Sequence, residues 1–242
     1  MTVKKVKQQN RLAIISGASQ GIGKELAFGL AADGYNLALI ARSKKDLQVV
    51  TRQIVARTGR MVLPYFLDIT NFDGIGAMVA DILKHRQSIE VLCNCAGIYE
   101  DGTLELSLVA YQRLFDVNFK GALALMQAVL PLMQKRKQGY VFNIASSAGK
   151  IGWAGRGGYV ASKFALVGLS ESLFHEYAKS GIKITAICPG YVNTKMAKTA
   201  GSNLAPSRMI QTADILETVR WLLKLTAATY VQEVALECQA FA

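Results

Sequence analysis

The sequence predicts an α/β fold: one doubly wound parallel sheet of about seven strands flanked by helices. Three observations point there. Short apolar runs rich in branched residues alternate with segments of helical period, and no hairpin signal separates them. The first of these runs enters a glycine turn and then a helix, the order in which a glycine motif acquires meaning. The 242 residues are 51% hydrophobic, enough for the core of a single domain.

The first strand is Arg-Leu-Ala-Ile-Ile-Ser over residues 11–16, and Gly17-Ala18-Ser19-Gln20-Gly21-Ile22-Gly23 follows it. Gly17 permits the tight turn. Gly21 and Gly23 let the backbone approach a pyrophosphate, with the N-terminus of a helix over residues 24–32 facing the anion. The spacing is G-x-x-x-G-x-G, and its place between strand and helix makes the predicted sheet Rossmann-like. Residues 35–41 form a second strand. Its end carries no Asp or Glu for a ribose 2′-hydroxyl but Ala41-Arg42-Ser43. A guanidinium suits a 2′-phosphate, so Arg42 favours NADP(H) over NAD(H); the plain alternative is that it opens the next helix, residues 44–57. A third strand at 61–67 stops at Asp68-Ile69-Thr70, where Asp68 is a turn residue, an adenine contact, or both. A helix spans 71–86. The fourth strand, 89–93, runs into Asn94-Cys95-Ala96-Gly97, small residues that allow close backbone approach at the ligand-binding edge of a parallel sheet.

Residues 103–117 read as a helix ending near Asn118, and 121–134 as a helix apolar almost all round. One face of the latter meets the sheet; a partner subunit is the economical cover for the other, so a homo-oligomer is expected, a dimer first and a tetramer second. A fifth strand (140–145) leads to Ser146-Ser147, and a glycine-rich loop over 152–158 leads to Tyr159-Val160-Ala161-Ser162-Lys163 at the start of a long helix reaching 179. A sixth strand at 182–187 ends in Cys188-Pro189-Gly190-Tyr191-Val192-Asn193-Thr194. Residues 196–208 show no period and read as a loop of the kind that serves as a lid, so 195–210 is the expected substrate loop. A helix at 212–225 and a strand at 233–237 complete the chain.

Composition narrows the function classes. The formal net charge is +11, with clusters at Lys4, Lys5 and Lys7, at Lys44 and Lys45, and at Lys135, Arg136 and Lys137. They lack interleaved aromatics and any nucleic-acid module, so they read as solvated helix ends and a basic, disordered tail over residues 1–10, and no nucleic-acid partner is expected. The field would still attract an anionic cofactor. Cys93, Cys95, Cys188 and Cys238 make no metal pattern and read as reduced core residues of a cytoplasmic protein. No metal is expected. The polar, basic N-terminus is no signal peptide, and the longest uncharged apolar stretch is far short of the ~20 residues of a membrane span. His85 and His175 lie on helices away from every motif. Trp153 either lines a substrate pocket or packs its loop.

Tyr159 and Lys163 stand four residues apart, one helical turn, so a proton donor lies beside a fixed cation. A neighbouring cation favours phenolate, and the Tyr159 pKa is expected to fall toward working pH. Alone the pair reads first as two residues on a helix surface.

With Gly17-x-x-x-Gly21-x-Gly23, Asp68, Asn94-Cys95-Ala96-Gly97, Asn118, Ser146, Tyr159-x-x-x-Lys163 and Pro189-Gly190 in order, residues 11–194 resemble the classical short-chain dehydrogenases/reductases. The resemblance implies an NADP(H)-dependent oxidoreductase that reduces a ketone or aldehyde, with 3-oxoacyl or long-chain 3-keto compounds the first candidates, and leaves the substrate unnamed. Tyr159 would donate the proton. Lys163 would lower its pKa and hold the nicotinamide ribose. Ser146, rather than Ser147, would bind the substrate oxygen, and Asn118 would hold a water relaying protons to Lys163. In the cofactor site, Gly17, Ser19, Gln20, Gly21, Ile22, Gly23, Arg42, Asp68, Ile69, Asn94, Ala96, Gly97, Pro189 and Gly190 are implied. Arg42 and Ser19 would take the 2′-phosphate, Asn94 the adenosine ribose, and Thr194 with the Val192 backbone the carboxamide. The sequence departs from the family pattern at Cys95, where a second Asn is commoner, and at Gln20, where a basic residue often accompanies NADP preference. It also lacks the usual C-terminal glycine pair, which argues against the tetramer contact. The competing class is an NADP-binding sensor or scaffold without turnover.

Overall fold

The computed structural model describes residues 11–85 and 88–239. The basic tail, the last residue of the 71–86 segment and the final residues up to Ala242 lie outside them. Seven parallel strands run in the order β3-β2-β1-β4-β5-β6-β7. They are β1 (Arg11–Ser16), β2 (Asn36–Ala41), β3 (Val62–Phe66), β4 (Ser88–Asn94), β5 (Gly139–Ile144), β6 (Ile182–Pro189) and β7 (Glu233–Leu236). The order reverses between β1 and β4, which opens a crevice at their carboxyl ends.

Strand side chains alternate between two cores, as a sheet covered on both faces requires. Ala13 and Ile15 join one with Leu26 and Leu30 of α1 (Gly21–Ala32), Leu47 and Ile54 of α2 (Lys44–Thr58), and Ile215 and Val219 of a late helix, Thr212–Lys224. Leu12 and Ile14 join the other with Ile75 and Ile82 of α3 (Phe72–Lys84), and with later helices contributing Leu125, Val129 and Leu166. Ser43 caps α2 by accepting from the Asp46 amide, and Gly59 closes it in the left-handed conformation.

Four of the boundaries that differ from the sequence-based expectation have a local physical reason. The helix of 103–117 begins only at Leu108, where Ser107 accepts from the Ala110 amide, and α4 is Leu108–Phe115. It does not end near Asn118 but passes through a π turn, Asp116–Lys120, into α5 (Gly121–Arg136). One inserted residue keeps the helix going while shifting its face, and a periodicity reading mistakes that shift for a break. α1 starts at Gly21, not Lys24, because two glycines of poor helix propensity hide its first turn. Gly157 and Gly158 likewise open α6 (Gly157–Tyr177) rather than closing a loop. Within 195–208 the chain forms α7 (Lys195–Thr199) and a 3₁₀ turn, Pro206–Arg208, both too short to show a period. The late helix Thr212–Lys224 is α8.

α5 is less uniformly covered than its sequence implies. Gln127 and Pro131 are exposed, while Ala124, Ala128 and Leu132 are half-buried against the core. With Leu173 and Tyr177 of α6, the outward residues Leu123, Gln127 and Pro131 line a shallow groove.

Candidate active site

A cavity of about 1150 Å³ lies along the carboxyl edge of the sheet, bordered by Ser16, Ala41, Ile144 and Pro189 where β1, β2, β5 and β6 end. Its first wall is the glycine turn. Gly17 has a φ of 66°, and a Cβ on it would stand 3.0 Å from the backbone of Cys95 and Ala96. A Cβ on Gly23 would stand 2.5 Å from the Gly17 carbonyl oxygen. Only glycine permits this closeness, which brings the N-terminus of α1, without an acidic residue in its first turn, to the cavity. Ser16 ties the turn to the fourth strand, its Oγ accepting from the amides of Cys95 (3.0 Å) and Ala96 (3.1 Å). Ser19, Gln20 and Ile22 also face the cavity.

At the end of β2, the exposed Arg42 lies on the cavity wall with its Nη1 3.9 Å from Asp68 Oδ2. Asp68 keeps both offered roles open. Its Oδ1 accepts from the Thr70 amide and hydroxyl, fixing the turn, while its other oxygen faces Arg42. Ile69, Ala96, Gly97, Gly190, Val192 and Thr194 all border the cavity, and Thr194 Oγ1 donates to the Val192 carbonyl at 3.2 Å.

Tyr159 is buried in the first turn of α6, its ring edge-on to Tyr99 with centroids 5.0 Å apart. Burial raises its pKa; the Ser146 hydroxyl, by hydrogen bonding, and the Arg156 charge oppose the rise. Ser146 hydrogen-bonds the phenol, and its Oγ accepts from the Ala148 amide at 3.1 Å. The expectation that Lys163 pulls the phenol pKa down is overturned. Lys163 is buried; its Nζ donates to the Ile144 carbonyl at 3.0 Å and lies 5.8 Å from the Tyr159 ring centroid. Burial depresses the lysine itself to about 8, and the net shift on Tyr159 is upward. Helical spacing placed both residues on one face; it did not fix where the ammonium hydrogen-bonds.

Two asparagine side chains are hydrogen-bonded within the protein. Asn94 is buried at the end of β4 and does not border the cavity. Its Nδ2 donates to Asn143 Oδ1 at 2.7 Å, and Asn143 Nδ2 donates on to Ser170 Oγ in α6 at 2.8 Å. A side chain so engaged does not reach a ribose. Asn118, in the π turn, accepts from the Ile98 amide (2.8 Å) and donates to the Ile98 carbonyl and to Ser162 Oγ, both at 3.0 Å. Those bonds spend both of its N–H donors and one acceptor site of Oδ1, so it fixes the segment after Gly97.

The site's geometry has counterparts. A short chain dehydrogenase profile matches residues 11–205. The chain belongs to the short-chain dehydrogenase/reductase family. The 3-oxoacyl-acyl-carrier-protein reductase FabG of Staphylococcus aureus is 31% identical over 225 residues, 89% of this chain and 91% of that protein. A crystal structure of a betaketoacyl-ACP reductase (FabG) from Bacteroides thetaiotaomicron shares 38% identity at a TM-score of 0.85, covering 96% of this chain and 98% of that one. A variant of actinorhodin polyketide ketoreductase with NADPH shares 27% at a TM-score of 0.86, covering 94% and 96%. As a short-chain dehydrogenase/reductase, the protein is an oxidoreductase acting on carbonyl or CH–OH groups.

In this short-chain dehydrogenase/reductase several cavity residues were not singled out from the sequence, although Met196 falls within the expected substrate loop. Tyr99, Arg156, Tyr191 and Met196 line the wall around Tyr159. Only Arg156 left a signal, a lone charge within a glycine run three residues ahead of the tyrosine. Trp153 does both things offered for it: it borders the cavity and packs with Leu114, Ala148 and Tyr159. Cys95 is more than core, since its half-buried side chain borders the cavity, although burial, opposed by the Lys163 charge, pushes its thiol up to about 12. Among the described residues no cluster of three His, Cys, Asp or Glu groups suits a metal, and no helix is long and apolar enough to cross a membrane.

Proposed function

We propose that the protein is an NADP(H)-dependent carbonyl reductase that converts a ketone or aldehyde, with 3-oxoacyl chains the leading class, to the alcohol. The observation that carries this reading is the Ser146–Tyr159 pair, which lies in the same cavity as the glycine cradle of α1. The cradle fits a dinucleotide: at Gly17 and Gly23 a Cβ would collide with backbone, and the pyrophosphate would lie against the helix N-terminus. Arg42 would take the 2′-phosphate, with Ser19 beside it. The Val192–Thr194 segment would hold the carboxamide. The relatives whose names specify 3-oxoacyl substrates, and the neighbour solved with NADPH, agree with this assignment.

NADPH, when bound, would supply the hydride for the carbonyl carbon. Everything else falls to the chain. The Ser146 hydroxyl binds the substrate oxygen and orients it toward Tyr159, whose proton passes to that oxygen as its charge develops. Burial keeps the phenol protonated at neutral pH, the form that reduction requires. An ammonium has three donors; Lys163 gives one to the Ile144 carbonyl, and the others would hold ribose hydroxyls. Tyr159→Phe is expected to lower turnover of a diketone at least about a hundredfold while NADPH binding, followed by fluorescence, persists. Wild-type turnover in that variant would remove Tyr159 as the acid. Arg42→Asp is expected to shift the NADPH/NADH ratio of kcat/KM by about tenfold or more toward NADH; an unchanged ratio assigns the preference elsewhere.

The groove on α5 and α6 is assigned to a second copy of the chain, making a homodimer. A monomer mass by light scattering at micromolar concentration would count against it.

A further inference from the structure

Of the cations bordering the cavity that the proposed mechanism does not use, Lys24, Arg156 and Lys195, one is held among aromatic rings. Arg156 stands just ahead of α6, half-buried, with its guanidinium carbon 5.7 Å from the ring centroids of Tyr99 and Tyr191 and 5.9 Å from that of Trp153. The rings hold the guanidinium plane and lower the dielectric around it, which strengthens its interaction with any acceptor brought alongside. One N–H is spent on the Ala200 carbonyl at 3.2 Å, at the end of α7, and another meets the Tyr191 side chain. Five donors belong to the group. Among the described residues no carboxylate lies within ion-pair distance of it, and Asp101, the nearest in electrostatic effect, is engaged by the Tyr99 hydroxyl.

Position decides what such a group would meet. Arg156 borders the same cavity as Tyr159, and both pack on the Tyr99 ring, the guanidinium carbon 5.7 Å and the Tyr159 ring 5.0 Å from its centroid. A substrate whose reacting oxygen sits on Tyr159 therefore extends its next carbons toward the guanidinium. We propose that Arg156 is a specificity-determining residue that takes an acyl oxygen carried one or two carbons from the reacting carbonyl, so that oxo acids and their thioesters are selected over simple ketones. The proposal rests on the carbonyl-reductase reading above and names its substrate class. A planar fork of donors matches a carboxylate in two parallel bonds and a thioester carbonyl in one.

The test compares acetoacetate, the N-acetylcysteamine thioester of 3-oxobutyrate, and 2-pentanone, each with NADPH, in the wild type, Arg156→Gln and Arg156→Lys. The wild type is expected to favour an acyl substrate over 2-pentanone by at least about tenfold in kcat/KM. Arg156→Gln is expected to raise KM for that substrate about ten- to a hundredfold, the size of a lost charge-assisted bond, and to affect 2-pentanone much less. Arg156→Lys restores part of the preference and guards against misfolding as the cause. Loss confined to acetoacetate identifies a carboxylate; loss confined to the thioester identifies the carbonyl. If Arg156→Gln slows all three alike, or none, the proposal is overturned, because Arg156 then acts on Tyr159 or on packing alone. Calorimetric titration of the NADPH-loaded protein with 3-hydroxybutyrate and its thioester separates the two readings. Binding lost in Arg156→Gln from a protein that reduces none of the ketones supports the subsite while defeating the reductase. Binding of equal strength in wild type and variant, or none in either, defeats the subsite.

Discussion

Tyr159 and Lys163 show how far spacing reaches and where it stops. Four residues of helix put both in one buried pocket, yet the ammonium bonds to the Ile144 carbonyl and the phenol's pKa rises. Buried Lys163 has a measurable signature. Its pKa is about 8 folded against an ordinary 10.5. Below pH 8 both states carry the proton, and the cost of burying the charge is felt in full. Between 8 and 10.5 the unfolded chain binds more protons than the folded one, so this group makes stability rise with pH. Urea unfolding should show the wild type gaining on Lys163→Met by about 2 kcal/mol between pH 7.5 and 10. A flat difference would mean the ammonium is solvated. Asn94 and Asn118 teach the converse. Each stands at its motif position, but the sequence does not contain Asn143 or Ile98 as neighbours, and those neighbours decide what the amides do. Arg156 was silent for the same reason, since Tyr99, Trp153 and Tyr191 gather around it only in the folded chain.

Among elements, those with a buried strand or a long apolar stripe were legible, because burial on both faces writes itself into composition. β1, β2, β5 and β6 lie within a residue or two of the spans read from sequence. The π turn and α7 were not, since a one-residue insertion and a five-residue helix leave no period to read. The contact of α1 with α8 was equally hidden. Gly29 faces Leu216 there so closely that a Cβ on it would overlap the leucine side chain. Gly29→Ala should therefore cost about 1–3 kcal/mol despite its better helix propensity, measured by denaturant midpoint. A stabilised variant would show that the two helices separate without strain.

Across the molecule the alternation of strands and helices was enough to place the crevice, because a parallel sheet concentrates ligand sites at its carboxyl edge. The substrate was not legible, for its determinants come from segments distant in sequence. The outward groove of α5 and α6 gives the assembly a test that leaves the cavity untouched: Leu123→Glu should yield a monomer by light scattering while NADPH affinity stays within about threefold, since a charge at an apolar contact disfavours association. A dimer persisting in that variant would place the interface elsewhere. The amide relay from Asn94 through Asn143 to Ser170 bears on how such a molecule changes over time. It joins β4 and β5, where Asn94 and Asn143 are paired, to the helix that carries Tyr159. Sliding that helix by even one residue would strand buried amides without partners. The relay thus acts as an index mark between helix and scaffold, and it keeps Tyr159 in register with the glycine cradle whatever the loops around Arg156 and α7 become.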